Sequence, residues 1–328
     1  MFKHILVPLD GSARAEHALP VAARIARLYN STLILLESIN PIDEMGLATL
    51  PREHLLIDME KLYLQNIARS QEVAGLEIIT LARIGLPAEQ ILLAAEAYAI
   101  DLIVMCSHGR AGLKRWSMGS VAQKITRTAP APVLVLQEDD PLQQQLRAPQ
   151  PSTVRIMVAL DGSELAETAI VPAGNLSMAL SAPATGALQL TSVIHLPSSF
   201  EYGQEDSVSR ALKQETPRAM AYLQSIEQQI RDGRFGPLPI EISTALCHNL
   251  DVATQMINTA ERGAAATDHP GCQLIALATH GRSGLQRWLT GSVTERILSR
   301  ARISLLVVRP PQHSRRAEQL SGMGKQVR

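Results

Sequence analysis

Two stretches of this chain each occur twice, and the repeat restricts the fold to two similar units. The first pair is ILVPLDGS at Ile5–Ser12 and IMVALDGS at Ile156–Ser163. The second pair is MCSHGRAGLKRWSMGS at Met105–Ser120 and LATHGRSGLQRWLTGS at Leu277–Ser292. The copies lie much further apart than the roughly 20–45 residues of a solenoid repeat. A length of 328 residues also suits two domains in tandem.

The repeat predicts one domain at residues 1–138 and a second at residues 153–309. Between them, residues 139–152 show no apolar periodicity, which is typical of a linker. After the second domain, the tail 310–328 has few apolar residues to bury, so we expect it to be mobile.

Short apolar runs alternate with helical patterns in both halves, which predicts parallel sheets covered by helices on both faces. We expect a doubly wound α/β domain twice, each with five strands in the order 3-2-1-4-5. A kink is expected at Pro20, inside the first helical pattern. The predicted strands are Ile5–Leu9, Thr32–Ile39, Leu76–Leu81, Asp101–Met105 and Val133–Leu136, then Arg155–Leu160, Ala187–Ile194, Pro239–Leu246, Gln273–Ala278 and Ser304–Val308.

Composition argues against several classes of function. Basic and acidic residues balance at 31 each and aromatic residues make up 3%, so we expect no nucleic-acid partner. No apolar run reaches the length of a membrane span, so no membrane partner is expected. Three cysteines without metal-type spacing suit a reducing compartment, and we expect a soluble cytoplasmic protein without a metal site of its own.

The repeated motifs are predicted to meet at one edge of each sheet. Asp10 and Asp161 follow the first strand of each half, and the glycine-rich stretches follow the fourth. In an open parallel sheet, ligands bind at the carboxyl ends of strands where the strand order reverses. Each half is therefore predicted to hold one crevice. An ordinary Asp-Gly turn with local side-chain bonding is the alternative interpretation of each aspartate.

Each glycine stretch ends in Gly-Ser at the start of a helical pattern, at Gly119-Ser120 and Gly291-Ser292. A helix start offers free N–H groups and partial positive charge, which suit a phosphate. A tight loop with an ordinary serine cap is the alternative. No P-loop pattern occurs in the chain. Cationic residues accompany both stretches: Arg110, Lys114 and Arg115 in the first, Arg282 and Arg287 in the second.

These motifs resemble those of the universal stress proteins, over about residues 1–138 and 153–309. ATP-binding members of that family carry a G-x2-G-x9-G-[ST] pattern after strand four. The later positions match as Gly109, Gly119 and Ser120, and as Gly281, Gly291 and Ser292. The first glycine of the pattern is replaced by Cys106 and Ala278.

The resemblance implies an adenine nucleotide site in each half, holding ATP or ADP with Mg²⁺. The aspartate and the residue two before it would line the adenosine end, and a position late in strand two would meet the adenine edge. The residues so implied are Pro8, Asp10, Ser38, Met105, Cys106, Gly109, Arg110, Gly119, Ser120 and Val121 in the first half, and Ala159, Asp161, Val193, Leu277, Ala278, Gly281, Arg282, Gly291, Ser292 and Val293 in the second.

Two positions favour the second site in sequence. Ala278 is smaller than Cys106 beside the implied ribose, and Val193 is more apolar than Ser38 at the implied adenine edge. The family resemblance also implies that the halves pack as an intramolecular pseudo-dimer through their last strands, Ala131–Leu136 and Ile303–Val308. A homodimer of whole chains is compatible with the same pattern.

The function that these residues favour is a cytoplasmic, stress-related regulatory protein that binds ATP and hydrolyses it slowly at most. No catalytic residue is predicted, since His108 and His280 have no nearby carboxylate or nucleophile in sequence and fit a loop role. One alternative is a nucleotide-free scaffold that acts by dimerisation. Another is an ATP-using enzyme such as an adenylyl-transferring enzyme, which would need an S-G-G-x-D-type loop that LDGSARAEH does not supply.

Overall fold

The computed structural model describes residues 1–40, 53–108, 118–137, 140–196, 205–263, 271–279 and 292–310, with only the backbone described at 53–56, 205–211 and 292. The first domain contains, in chain order, β1 (His4–Leu9), α1 (Ala13–Glu16), α2 (Ala18–Tyr29), β2 (Thr32–Ile39), α3 (Glu53–Ala68), a 3₁₀ turn (Gln71–Val73), β3 (Ile78–Ile84), α4 (Pro87–Ala97), β4 (Leu102–Cys106), α5 (Ser120–Thr128) and β5 (Val133–Leu136).

The second domain repeats this order after a short connecting helix. The connecting helix is α6 (Pro141–Leu146). The elements that follow are β6 (Arg155–Ala159), α7 (Glu164–Glu167), α8 (Ile170–Ser181), β7 (Ala187–His195), α9 (Glu205–Arg231), β8 (Glu241–Asn249), α10 (Val252–Arg262), β9 (Leu274–Ala278), α11 (Ser292–Arg300) and β10 (Ser304–Val308).

The described strands form a single ten-stranded sheet in the order β3-β2-β1-β4-β5-β10-β9-β6-β7-β8. The first half has the predicted order 3-2-1-4-5, and its strands pair in parallel. The second half has the equivalent order, running outward from the centre. The α/β class and the strand order are therefore confirmed.

The two domains join through their last strands. β5 and β10 pair antiparallel, with Leu134 opposite Leu306 at the centre of the pairing. This is the pairing that was expected from the apolar last strands. Because each strand is the partner of the other, neither is left as an exposed apolar edge. We call the antiparallel pairing of β5 with β10 the seam.

Alternating side chains send each strand's residues to two faces of the sheet. The α2 face is covered by α2, α3, α8 and α9, and its apolar cluster runs across the seam through both domains. The α5 face is covered by α4 and α5 in the first domain and by α10 and α11 in the second. Met118 packs against the apolar clusters of both domains on the α5 face.

The helix after β1 differs from the prediction of a kink at Pro20. The chain bends earlier, at His17, where α1 ends and α2 begins. Pro20 stands in the first turn of α2, where a backbone N–H has no intrahelical acceptor, so its missing N–H breaks no helical bond.

The segment expected to be a linker contains α6, which is fixed to the seam. Asp140 caps α6 by accepting from the backbone N–H of Gln143 at 2.8 Å. Leu142 is fully buried in the cluster of the α2 face. The buried Asp140 carboxylate also accepts a hydrogen bond from the hydroxyl of Ser304, at the start of β10. A helix of six residues is too short to show a period in sequence, and its stability comes from these tertiary contacts.

The predicted mobile tail lies outside the described residues beyond position 310. Across the part of the chain that the structure describes, no helix is both long enough and apolar enough to cross a membrane.

Candidate functional site

The turn after β1 is built by the side chain of Asp10. Its Oδ1 accepts from the backbone N–H of Ser12 at 3.1 Å and from the Ser12 hydroxyl at 2.6 Å. The Ser12 hydroxyl oxygen then accepts from the N–H of Ala15 at 3.2 Å, which caps α1. Gly11 takes a φ of 72°, a left-handed conformation that glycine adopts without strain.

The second domain builds the same turn to within about a tenth of an ångström. Oδ1 of Asp161 accepts from the N–H of Ser163 at 3.0 Å and from its hydroxyl at 2.6 Å. Ser163 in turn caps α7 at Ala166. Local side-chain bonding, the alternative raised for both aspartates, is thus present in both turns, and it engages one oxygen of each carboxylate.

The start of α5 lies beside the end of β4. Gly119 donates its N–H to the carbonyl oxygen of Ser107 at 2.8 Å. A Cβ at Gly119 would stand 3.0 Å from that same oxygen, so the approach leaves little room for a side chain. Gly119 occupies the cap position, with φ −60° and ψ 152°, and no side-chain hydrogen bond caps the helix among the described residues.

Ser120 is the first residue of α5, and its side chain is exposed. The sequence left open that Ser120 caps this helix instead of binding a phosphate. In the structure the cap residue is Gly119, so Ser120 is not the cap. The N–H groups of the first turn carry partial positive charge, and the helices that follow the aspartate turns are instead capped by serine hydroxyls. The uncapped start of α5 is suited to an anion.

Apolar residues line the α5 face next to these motifs. In the first domain, Met105 is buried at the end of β4, and Met118 and Val121 pack against the same cluster. Pro8 is half-buried near the end of β1, on the same face as Leu6 by strand alternation. In the second domain, the apolar cluster includes four of the predicted residues: Ala159, Val193, Leu277 and Val293.

The residues late in β2 and β7, which are the candidates for the adenine edge, have different surroundings. The Ser38 hydroxyl donates to the carbonyl oxygen of Gly85 at 2.8 Å, which ties the end of β2 to the turn after β3. Val193 packs into the apolar cluster of the second domain. A planar apolar group would therefore meet a more apolar surface at the second site.

The side chain of Cys106 was expected to narrow the first site, but it lies on the opposite face of the sheet from Met105. Its Sγ approaches the carbonyl oxygen of Ala15 to 3.9 Å, under α1, and the side chain packs in the cluster of the α2 face. Met105, one residue earlier, faces the other side. Burial first, and then the charges of Asp10 and Asp140, raise the pKa of the Cys106 thiol to about 12. Cys106 and Ala278 both pack on the α2 face. The difference in their size therefore gives no reason to expect tighter nucleotide binding at the second site than at the first.

Two tyrosines that the sequence analysis missed bind, from the α2 face, the short helices α1 and α7 that follow the aspartate turns. The Tyr63 hydroxyl donates to Glu16 at 2.9 Å, and the Tyr222 hydroxyl donates to Glu167 at 3.3 Å. Burial and the partner glutamates raise the pKa of both tyrosines.

The glutamate of each tyrosine–glutamate pair could have been found from the repeat in the sequence, but the tyrosine could not. Glu16 and Glu167 stand at the same distance from Asp10 and Asp161 in the two repeats. The tyrosines do not share a spacing, since Tyr63 lies 47 residues after Glu16 and Tyr222 lies 55 residues after Glu167.

Several predicted site residues fall outside the described residues, in the glycine loops themselves. They are Gly109, Arg110, Gly281, Arg282 and Gly291, together with the side chain of Ser292. His280 also lies outside the described residues, whereas His108 is described, with its Nδ1 3.1 Å from the Ser107 hydroxyl.

The fold and the repeated motifs define a tandem doubly wound α/β protein that carries the same motifs at equivalent places in its two domains. Residues 1–137 and 153–309 each match the model of the universal stress protein family. The chain belongs to this stress-related family.

Relatives match one domain or both. A universal stress protein of Methanocaldococcus jannaschii is 30% identical over 154 residues, which cover 42% of this chain and 95% of that protein. One of Mycolicibacterium smegmatis is 24% identical over 322 residues, which cover 93% of this chain and 97% of that protein. The crystal structure of a universal stress protein from Archaeoglobus fulgidus superposes with a TM-score of 0.58, at 18% identity, over 93% of this chain and 98% of that one. At this identity, the structural likeness concerns the fold alone.

Proposed function

We propose that this chain is a cytoplasmic regulatory protein that binds ATP on the α5 face of each domain, 1–138 and 153–309. The phosphates would lie at the start of α5 and of α11, and the adenosine would lie against the apolar wall beside the aspartate turn. Binding would alter the conformation or the partners of the chain, with slow hydrolysis at most.

The start of α5 is the observation that carries this proposal. Gly119 brings the helix start against the end of β4, and no side chain caps it among the described residues. A helix start in this state presents N–H donors and partial positive charge to the solvent side, which is the chemistry that holds a phosphate in other nucleotide proteins. The repeated Gly-Ser at Gly291 and Ser292 extends the proposal to α11.

The other end of the nucleotide is supported by apolar packing and by the aspartates. Met105 and Val121 pack in the apolar cluster of the α5 face in the first domain, and Pro8 lies on the same face by strand alternation. A purine ring buries apolar area and is favoured against such a surface. Since one oxygen of each aspartate holds its own turn, the carboxylate is also fixed in orientation, which suits it to accept from a ribose hydroxyl.

Mg²⁺ in this proposal arrives on the phosphates of ATP. Within the described residues, no group of three or more His, Cys, Asp or Glu side chains is placed to hold a metal ion. The cysteines are free thiols, which suits a cytoplasmic protein.

A charge placed at the helix start tests the proposal without weakening the fold. Ser120→Glu and Ser292→Glu, combined in the full chain, put a carboxylate where the phosphates would lie. A negative charge in the first turn of a helix stabilises the helix by about 0.3–1 kcal/mol, so the folded state is expected to be kept. Calorimetric titration with ATP is expected to show binding to the wild-type chain and none to the double variant.

Gln71→Glu is the matched control, since it adds the same charge at an exposed site beyond α3, away from both helix starts. It is expected to bind ATP as the wild-type chain does. If the wild-type chain gives no heat with millimolar ATP, the proposal fails and the nucleotide-free scaffold takes its place. If the double variant binds ATP with wild-type affinity, the phosphates do not lie at these helix starts.

A further inference from the structure

The start of the second glycine loop lies next to the seam, beside Arg309. Val308 pairs with Ala278 at the end of β9, and Thr279 donates its backbone N–H to the carbonyl oxygen of Val308 at 2.9 Å. Arg309 follows directly. By alternation with Leu305 and Val307, which pack on the α5 face, Arg309 lies on the face that α11 covers. It therefore stands at the same edge and on the same face as the start of α11.

The guanidinium of Arg309 reaches across the seam and keeps an unused donor. Its NH1 donates to the carbonyl oxygen of Thr128, the last residue of α5, at 2.9 Å. Its Nε is buried and has no acceptor among the described residues. No carboxylate in the described part of the chain forms an ion pair with it. A buried N–H without an acceptor is costly, and an anion at this edge would satisfy it.

A second arginine neutralises the acidic residue nearest to the start of α11. Glu295 lies in the first turn of α11 and would repel a phosphate there. Arg127, in the last turn of α5 in the other domain, forms an ion pair with Glu295. The first domain thus supplies a guanidinium to the proposed site of the second.

The first site has no counterpart of either arginine. The repeats align APVLVLQ with ISLLVVR, so Gln137 corresponds to Arg309. From the helix starts at Ser120 and Ser292, Arg127 corresponds to Ser299, which lies on α11. Among the described residues, this pair of guanidinium groups therefore lies beside the start of α11 and has no equivalent beside the start of α5.

The geometry points to Arg309 as a phosphate-binding residue of the second site, with Arg127 as a positioning residue that neutralises Glu295. The ligand that this arrangement selects is a nucleotide carrying a polyphosphate, in preference to the nucleoside. This inference rests on the proposed function. It makes the second site one that is complete only when the two domains are joined at the seam.

The test isolates the second site in a full-length chain that carries Ser120→Glu. In that background, Arg309→Gln is expected to weaken ATP binding about tenfold or more, the effect of losing one charge-assisted hydrogen bond. The affinity for adenosine, which has no phosphate, is expected to stay the same. Arg302→Gln is the matched control, because it removes the same charge from an exposed position before β10 and is expected to change neither affinity.

The experiment distinguishes a failure of the proposed ATP binding from a failure of the role given to Arg309. If the wild-type chain binds neither ATP nor adenosine, the proposed function fails. If it binds ATP and a folded Arg309→Gln variant binds ATP equally well, or loses ATP and adenosine affinity alike, the role of Arg309 is refuted.

A gain of binding provides a second measurement, which does not depend on how Arg309→Gln folds. Gln137→Arg, in a chain carrying Ser292→Glu, places the arginine at the equivalent position of the first site. It is expected to strengthen ATP binding there severalfold without changing adenosine binding. An unchanged ATP affinity would contradict the inference that this position reaches the phosphates.

Discussion

The two domains share one strand order but bury different chemistry on the α5 face. At equivalent positions of the two outermost strand pairs, β2–β3 and β7–β8, the first domain has apolar side chains beneath α4, and the second has mostly polar or small ones beneath α10. The residues are Ile34, Leu36, Ile79 and Leu81 in the first domain and Gln189, Thr191, Ser243 and Ala245 in the second.

The polar layer of the second domain is only partly satisfied. Gln189 is almost fully buried, and its Nε2 lies 3.3 Å from the Thr191 hydroxyl. Its Oε1 has no hydrogen-bond partner among the described residues. Nearby on α10, the buried Thr259 accepts from Gln255 at 3.1 Å. The two domains thus reach the same strand order with different layers beneath α4 and α10, and we expect the layer to affect the stability of each domain.

Separating the domains is expected to have the largest effect. Expressed alone, residues 1–138 and 153–309 would each expose an apolar last strand and part of the cluster on the α2 face. Unpaired apolar edge strands associate with other chains, so each half is expected to dimerise or aggregate where the full chain stays monodisperse. Size-exclusion chromatography with light scattering measures this. Two well-behaved monomeric halves would show that the seam contributes little.

The next largest effect is expected from giving the first domain the polar residue of the second. Ile34→Gln buries an amide in a fully buried apolar site beneath α4. The loss of apolar burial and the unsatisfied amide together are expected to cost about 3–5 kcal/mol. Urea denaturation with an unchanged m-value measures the cost. A cost below about 1 kcal/mol would mean that this layer tolerates polarity in either domain, against the comparison.

The fold could be predicted from the sequence because local and repeated signals agree. Short apolar runs, helix starts after Asp-Gly-Ser and two copies of each motif all indicate the same topology. The bounds of the edge strands were less accurate: β3 and β8 end three residues later than predicted. Pairing with β2 and β7 extends these edge strands through residues 82–84 and 247–249, whereas the predicted bounds stopped at Leu81 and Leu246.

The positions of the candidate site residues could be predicted only where the motif lies within a single helix or strand. Gly119 stands at the start of α5 and Met105 near the end of β4, as the sequence predicted, and their role in binding stays a prediction. The direction of Cys106 was available from strand alternation, because adjacent residues of a strand face opposite sides. The contact of Asp140 with Ser304 joins residues far apart in sequence, and the contact of Arg127 with Glu295 does the same. Such contacts depend on how the domains meet, which neither repeat encodes alone.

Asp140 gives the seam a pH dependence with a defined sign. Burial raises the pKa of Asp140, although Ser304 and backbone N–H groups oppose the shift. An acid with a raised pKa in the folded state destabilises that state as pH rises from the unfolded value of about 3.9 through the folded pKa. Asp140→Asn removes this loss. It is therefore expected to gain stability relative to the wild-type chain as pH rises through this window.

Asp140→Ala separates the cap from the charge. It also removes the acceptor that caps α6, which is expected to cost about 1 kcal/mol at every pH. Melting temperatures measured between pH 3 and 7 distinguish the two variants. A wild-type chain that gains stability over Asp140→Asn with rising pH would reverse the assigned sign.

The hydrogen bonds of Tyr63 and Tyr222 to α1 and α7 are expected to contribute unequally to the stability of the chain, the shorter one contributing more. Tyr63→Phe removes a 2.9 Å bond to Glu16, and Tyr222→Phe removes a 3.3 Å bond to Glu167. A hydrogen bond of this kind contributes about 1 kcal/mol, and the longer one is expected to contribute less. Denaturation of both variants in the full chain measures the difference. An equal or larger cost for Tyr222→Phe would show that the two turns are held by different means.

Giving the second domain the apolar residue of the first is expected to have the smallest effect. Gln189→Leu removes an Oε1 that has no partner among the described residues and a long contact to the Thr191 hydroxyl. Thr191 can keep its hydrogen bond to the carbonyl oxygen of residue 189, which is 3.4 Å away and belongs to the backbone. Replacing a poorly satisfied buried amide by an apolar group of similar size is close to neutral, so a change within about 1 kcal/mol of zero is expected. The informative quantity is the contrast with Ile34→Gln at the equivalent position. A cost above about 2 kcal/mol for Gln189→Leu would mean that the polar layer beneath α10 is a satisfied network that stabilises the second domain as the apolar layer stabilises the first.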